Sequence, residues 1–272
     1  MDELITGSKK PVQFRSRKKK ERIGRNEIVG TADLYKNFSS KFLKNERNII
    51  VWLPPKYKRA RNADKRYPVL YMHDGQNLID PKTSYSGYDW RVDETVTRLI
   101  EEQKMNEIIV AGIYNTDDRL EEYSDSGKGE KYLGFIIEEL KPFIDSTYRT
   151  LDDRDNTAIM GSSMGGLISF LAAWKHPEIF SMSGCMSSSF YYDNDEVFKM
   201  IDENRRSKKP IKFYIDHGED GLKDGQRMFC KLTQMGYIIG TDVDYFYARG
   251  DEHNETEWAK RLERPLIFFF GK

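Results

Sequence analysis

Thr157-Ala158-Ile159-Met160-Gly161-Ser162-Ser163-Met164-Gly165-Gly166 is the stretch that decides how this chain folds. A short apolar run enters G-x-S-x-G, and LISFLAAWKH follows at once with helical spacing. A serine placed between two such glycines suits a sharp, strained turn from strand to helix. Gly161 lies two residues before Ser163 and Gly165 two after, which leaves room for the turn. The turn lifts the Ser163 hydroxyl above the sheet edge, where the following helix N-terminus favours developing negative charge. Ser162 is wrongly spaced from the glycines and reads as a supporting turn residue. The competing reading is a plain tight turn built from a serine doublet and three glycines. The strand before and the helix after favour a turn that presents a nucleophile.

Outward from this turn, strand and helix alternate. Residues 68–73 (PVLYMH) and 107–114 (EIIVAGIY) are apolar without polar alternation, as strands buried on both faces require. Further strands are expected at 27–34, 48–53, 157–160, 181–186, 211–216 and 242–247. Helices are expected at 92–103, 130–146, 164–175, 222–235 and 255–269. This order predicts an α/β protein of the α/β-hydrolase type: a mostly parallel central sheet, helices on both faces and no large lid. One domain is expected over 27–272, with no internal repeat. Residues 1–26 form a basic arm carrying Lys9, Lys10, Arg15, Arg17, Lys18, Lys19, Lys20, Arg22 and Arg25. Such an arm suits an anionic partner, but no aromatics interleave with the charges to stack bases. A solvated, flexible tail is the preferred reading.

Composition narrows the function classes. The 44 basic and 44 acidic residues cancel, so no overall field steers the chain to nucleic acid. No apolar run reaches the ~18 residues that a membrane span needs. MDELITGSKK lacks the apolar core of a secretory signal. Two cysteines, Cys185 and Cys230, make no disulfide framework and read as buried small hydrophobes. A cytoplasmic location is expected. No zinc motif is present, and neither Asp152, Asp153 and Asp155 nor Asp193 and Asp195 have the glycine and final glutamate of a calcium loop. No G-x-G-x-x-G follows a strand. Neither metal nor cofactor is expected.

A serine hydroxyl needs a base, usually a histidine held by a carboxylate. On α/β-hydrolase sheets the order along the chain is serine, acid, histidine. His73 precedes the serine, and His176 sits beside Pro177 at a helix end. His217 lies where the acid is expected. His253, in the polar loop after the last strand, is the favoured base. The acid is expected after strand 211–216, where Asp216, Glu219, Asp220 and Asp224 compete. Asp220 is preferred, with Glu219 second. The oxyanion is assigned to two backbone amides, Met164 after the nucleophile and Gln76 in the turn His73-Asp74-Gly75-Gln76-Asn77. Asn77, Trp90, Arg119 and Trp258 are candidates for substrate contact. For Arg119, with Asn115, Glu122 and Tyr123, an ion-paired brace of the loop is the favoured alternative, and for the two tryptophans a place in the core.

The stretches VLYMHDGQNLID, GIYNTDDRLEEYS, GSSMGGL, IDHGED and HNETEWAKRL occur in this order from residue 69 onward. Together they resemble the putative-esterase family of α/β-hydrolases. That family includes enterochelin-type trilactone esterases, S-formylglutathione hydrolase, feruloyl and acetylxylan esterases and mycolyltransferases. The resemblance runs from about residue 27 to the C-terminus and implies action on carboxylic esters or thioesters. It implies Ser163 as nucleophile, His253 as base, and Gln76 and Met164 as oxyanion donors. Relatives place the acid three positions after the loop glycine, which is Gly221 here; Asp220 matches only a loop one residue shorter. Three functions stay open at this point: a serine esterase of a small-molecule or carbohydrate ester, an acyltransferase using the same acyl-enzyme, and an inactive binding scaffold. Oligomeric state and the identity of the ester are not legible.

Overall fold

The structure, a computed structural model, describes residues 20–22, 28–219 and 222–272. Most of the basic arm and the preferred acid, Asp220, lie outside the described residues. Among the described residues, nine strands form one sheet: β1 Lys20–Arg22, β2 Thr31–Ser39, β3 Glu46–Leu53, β4 Val69–His73, β5 Ile109–Ile113, β6 Thr157–Ser162, β7 Met182–Met186, β8 Lys212–His217 and β9 Val243–Tyr247. Their spatial order is β1-β2-β3-β5-β4-β6-β7-β8-β9. The first three pair antiparallel, as do β3 and β5, and every pairing from β5 to β9 is parallel. This is the mostly parallel α/β-hydrolase sheet expected above. Three residues of the arm, Lys20–Arg22, are themselves an edge strand on β2. The strand expected at 27–34 instead occupies Thr31–Ser39, with a register shift between Tyr35 and Phe38.

Side-chain alternation divides the core into two layers. Ile49, Val51, Val69, Tyr71, Ile109 and Ile159 face one layer, and Ile50, Trp52, Leu70, Met72, Val110 and Met160 face the other. The first layer is covered by α3 Gly127–Gly134, α4 Lys141–Thr147, α5 Met164–Lys175, α6 Tyr192–Glu203 and α7 Leu222–Gln234. The second is covered by α1 Val92–Glu101, α8 Glu255–Arg261 and α9 Glu263–Phe270, while the short α2 Arg119–Glu122 lies near the carboxyl end of β5. The helix α5 is buried from Met164 to Trp174, so it packs like a core helix and has no polar face.

Several departures from the sequence expectation have local causes. The helix expected at 130–146 is continuous but widens to a π-helix over Phe135–Leu140, just before Pro142. A proline inside a helix lacks an amide and crowds the carbonyl four residues earlier, and the wider turn relieves both. The helix expected at 255–269 breaks at Leu262, and Pro265 produces the same conflict with Arg261. The helix α6 was not expected: Asp193, Asn194 and Asp195 take left-handed backbone angles in its first turn, which disguises its start. Cys185 is buried as expected, but Cys230 is exposed, on the outward side of α7 between buried Met228 and Leu232. Among the described residues no helix is long and apolar enough to cross a membrane.

Candidate active site

The strand β4 leads through α1 to β5 on one side, and β5 leads to β6 on the other. The crossovers therefore part company between β4 and β6, and a crevice opens at the carboxyl ends of these strands. Met72 pairs with Met160 across them, which brings the turn after β4 beside the turn after β6. The two turns are the ones that sequence reasoning singled out.

Ser163 stands at φ 56° and ψ −124°, a strained conformation for a residue other than glycine. Four backbone bonds hold it there. Its N–H donates to the Met186 carbonyl at 3.0 Å, and its own carbonyl accepts from Gly166, Leu167 and Ser189, each at 3.1 Å. The flanking glycine is a steric necessity, since a Cβ on Gly161 would lie 2.7 Å from the Gly165 backbone. The Ser163 hydroxyl is 3.2 Å from that of Ser189, a neighbour the sequence reading missed. Met164 opens α5, so no carbonyl within the helix is available to its amide.

The turn after β4 is built with the same economy. Asp74 adopts a left-handed conformation, and Gly75–Asn77 form one 3-10 turn. A Cβ on Gly75 would lie 2.6 Å from the Gly112 backbone, so glycine lets this turn lie flat against β5. Gln76 is pinned through its other polar atoms. Its Oε1 accepts from the Asn115 amide at 3.2 Å and its carbonyl from the Thr83 hydroxyl at 2.5 Å. Its own amide belongs to the first turn of the short helix, where no intrahelical acceptor exists.

Ser163, Gln76, Asn77, Arg119, His253 and Trp258 all line one cavity of about 630 Å³. Thr83, Tyr85 and Ser86 complete one wall, and Glu255 contributes a carboxyl group. None of these four stands out in the sequence, because residues 83–88 have no periodicity and Glu255 reads as a helix start. Asn77 is itself buried and braces the wall: its Nδ2 donates to Glu255 at 3.1 Å and its Oδ1 accepts from the Tyr85 amide at 3.0 Å. The Trp258 ring stands perpendicular to that of His253, centroids 5.0 Å apart, and Trp90 is buried behind it at 5.5 Å. Arg119 both borders the cavity and braces the loop. It grips Asp74 with two bonds of 2.8 and 2.7 Å, and Asn115 gives the same carboxylate a third at 2.7 Å. Desolvation works against its charge, but Asp74 more than compensates and raises the Arg119 pKa.

The remaining histidines are placed differently. His217 is buried, with Nδ1 against the Gly218 carbonyl at 2.9 Å and Nε2 against the Tyr245 hydroxyl at 2.8 Å. His176 ends α5 beside Glu178. His73 lies buried beneath Gly165, its Nδ1 2.8 Å from the Tyr132 hydroxyl. Burial pushes its pKa from 6.5 down to about 3, so the folded protein keeps it neutral where an unfolded chain would protonate it. The stability it permits is complete above pH 6.5 and is lost as acid titrates the unfolded chain down towards pH 3. Urea melts between pH 7 and pH 4 should show that loss, of a few kcal/mol. His73→Gln, which cannot protonate, should flatten the slope. An unchanged slope would mean that other groups carry it.

Of the four candidate acids, two have other engagements. Asp216 is wholly buried, 3.0 Å from Arg261 Nε, and accepts from the Tyr214 hydroxyl at 3.1 Å and the Ser187 amide at 3.2 Å. Arg261 reaches on to Asp251 at 3.0 Å and the Ser187 hydroxyl at 2.7 Å, fastening the His253 loop to the ends of β7 and β8. Glu219 accepts from the Tyr247 hydroxyl and the Gly250 amide, and these bonds hold its pKa below the usual range. Asp224 lies in the first turn of α7, where partial burial raises its pKa.

Comparison with known proteins points to one family. The family described as Putative esterase matches residues 40–269. YbbA of Bacillus subtilis is 26% identical over 254 residues, which cover 83% of this chain and 93% of YbbA. Among solved structures, the enterobactin esterase of Shigella flexneri superposes with a TM-score of 0.70 at 18% identity, over 93% of this chain and 60% of its own. A ferulic acid esterase from Anaeromyces mucronatus gives 0.67 at 20%, over 91% of this chain and 93% of its own. At these identities the two structures establish a shared fold.

Proposed function

The chain belongs to the Putative esterase family and is a carboxylic ester hydrolase, and from that premise we propose that it works through an acyl-enzyme on Ser163. The observation that carries this reading is the placement of a strained Ser163 in the same cavity as His253.

In this mechanism His253 accepts the Ser163 proton as Oγ attacks the ester carbonyl. The negative charge that gathers on the carbonyl oxygen is met, in this reading, by the Gln76 and Met164 amides, neither of which has an acceptor within its own helix. Collapse of the tetrahedral species breaks the bond to the alcohol, which leaves with the proton from His253. Water then enters and gives a proton to His253 as its oxygen adds to the acyl carbon; the bond to Ser163 Oγ breaks, Oγ takes the proton back from His253, and the acid leaves. Asp220 is the proposed partner that keeps the imidazole in the correct tautomer. Arg119 and Asp74 act indirectly, by holding the Gln76 turn in place. Polar walls from Thr83, Ser86 and Asn115, with the aromatic faces of Tyr85 and Trp258, suit a small-molecule or carbohydrate ester with hydroxyl groups near the reacting carbonyl.

The test is turnover of p-nitrophenyl acetate and butyrate by the wild-type protein, together with labelling by a fluorophosphonate probe. Hydrolysis is expected with both esters, with one label per chain mapped by peptide sequencing to Ser163. Labelling elsewhere, or none in folded protein, would refute the assignment.

A further inference from the structure

A second group of charged side chains lies outside the cavity that contains Ser163. Asp89, Asp93 and Glu94 each present a carboxylate oxygen, and the three oxygens lie within 4.8 Å of one another. Asp93 is only 1% exposed. Its Oδ2 accepts from the Val29 amide at 2.7 Å, but Oδ1 is buried with no donor, and so is Glu94 Oε2. Two acceptor oxygens thus sit in the same pocket, where either a proton or a cation can lie between them. Burying an ionised carboxylate without a counter-charge is costly, so such a group takes up either a proton or a positive partner.

The neighbouring cations do not supply it. Arg91 reaches only the other oxygen of Glu94, at 3.4 Å, and its side chain is 65% exposed. Arg98 is turned towards Glu102 and Glu263. On its outer side the group opens to a cavity of about 910 Å³, lined in part by Tyr88, Asp89, Arg91 and Glu94, with space for coordinating water.

We propose that Asp89, Asp93 and Glu94 bind a hard divalent cation, with calcium the best fit. All three donors are carboxylate oxygens, which suit calcium or magnesium better than zinc or copper, whose sites favour imidazole or thiolate donors. Calcium tolerates an irregular set of six to eight oxygens completed by water, whereas magnesium demands a near-ideal octahedron. Sequence reading, which weighed Asp152, Asp153, Asp155, Asp193 and Asp195 and not this group, expects no metal; Asp89-x-x-x-Asp93-Glu94 has no calcium-loop spacing, and the site is made where a loop meets the first turn of α1. The bound ion would fasten the loop that supplies Tyr85 and Ser86 to α1 and, through Asp93, to the backbone at Val29.

The experiment uses the whole chain, stripped with EGTA, and does not depend on esterase activity. Calcium at a hundredfold excess over its Kd should raise the melting temperature by roughly 5–10 °C. Terbium should bind at the same place and luminesce through Trp90, next to Asp89 in the chain, with the emission saturating and then displaced by calcium. Asp89→Asn and Glu94→Gln alter partly exposed groups and should fold normally, yet lose both responses. The proposal fails if the folded wild type shows neither response, which would mean that Asp93 and Glu94 share a proton. It also fails if both variants respond as the wild type does, which would place the ion elsewhere.

Discussion

Ser163→Ala should lower p-nitrophenyl ester turnover by about 10⁶, His253→Ala should lose a comparable amount, and the double variant should lose little more. The magnitude follows from what the two residues do together in the proposed mechanism. Without the hydroxyl no acyl-enzyme can form, and without the imidazole the hydroxyl is too weak a nucleophile at neutral pH. Once either is gone the other has no task, so their losses cannot add. A residual rate above that in water should survive in all three variants, about 10³–10⁴, because in the proposed mechanism the Gln76 and Met164 amides still attract a developing oxyanion. Steady-state rates on proteins confirmed folded by circular dichroism would check this. Additive losses would mean that Ser163 and His253 serve separate steps.

Asp220→Asn should cost about 10⁴ in turnover with little change in KM. The amide keeps the size and polarity of the carboxylate but stabilises the wrong imidazole tautomer, and it cannot balance the charge that His253 gains. Glu219→Gln and Asp224→Asn serve as the comparison and should remain within a few-fold of wild type. For Glu219 the reason is its commitment to Tyr247 and Gly250. Asp216→Asn answers a different question: it removes the buried one of the two carboxylates that Arg261 pairs with and leaves only Asp251, so its expected defect is in folding, on the order of 1–3 kcal/mol. If Glu219→Gln or Asp224→Asn proved the damaging change and Asp220→Asn did not, the acid would have to be reassigned.

How far these features were legible depends on whether their cause was local. The turn around Ser163 could be read because its steric demands fall on residues two positions away, and glycine is the answer to each. The parallel strands could be read because burial on both faces removes the usual alternation. The Gln76 turn could be read from Gly75, although the reason for that glycine, contact with Gly112, is a long-range fact. Elsewhere the cause was tertiary. Nothing near Arg261 in the chain announces that it joins Asp216, Ser187 and Asp251, since these come from three separate segments. The dual position of Arg119, at the cavity edge and on Asp74, likewise depends on a partner 45 residues away. The wall formed by Thr83, Tyr85 and Ser86 has no pattern to detect, because a loop is shaped by what it packs against.

The fastening made by Arg261 has a consequence for how tolerant this protein is of change. A planar guanidinium can serve three acceptors in fixed directions, whereas an ammonium of similar reach is a single point charge that cannot hold the same geometry. The loop that carries His253 is therefore held by a side chain outside the lining of the Ser163 cavity, on the helix that follows it. In a survey of natural or laboratory variants, arginine-to-lysine exchange, ordinarily counted as harmless, would rank here with changes at the reacting groups themselves.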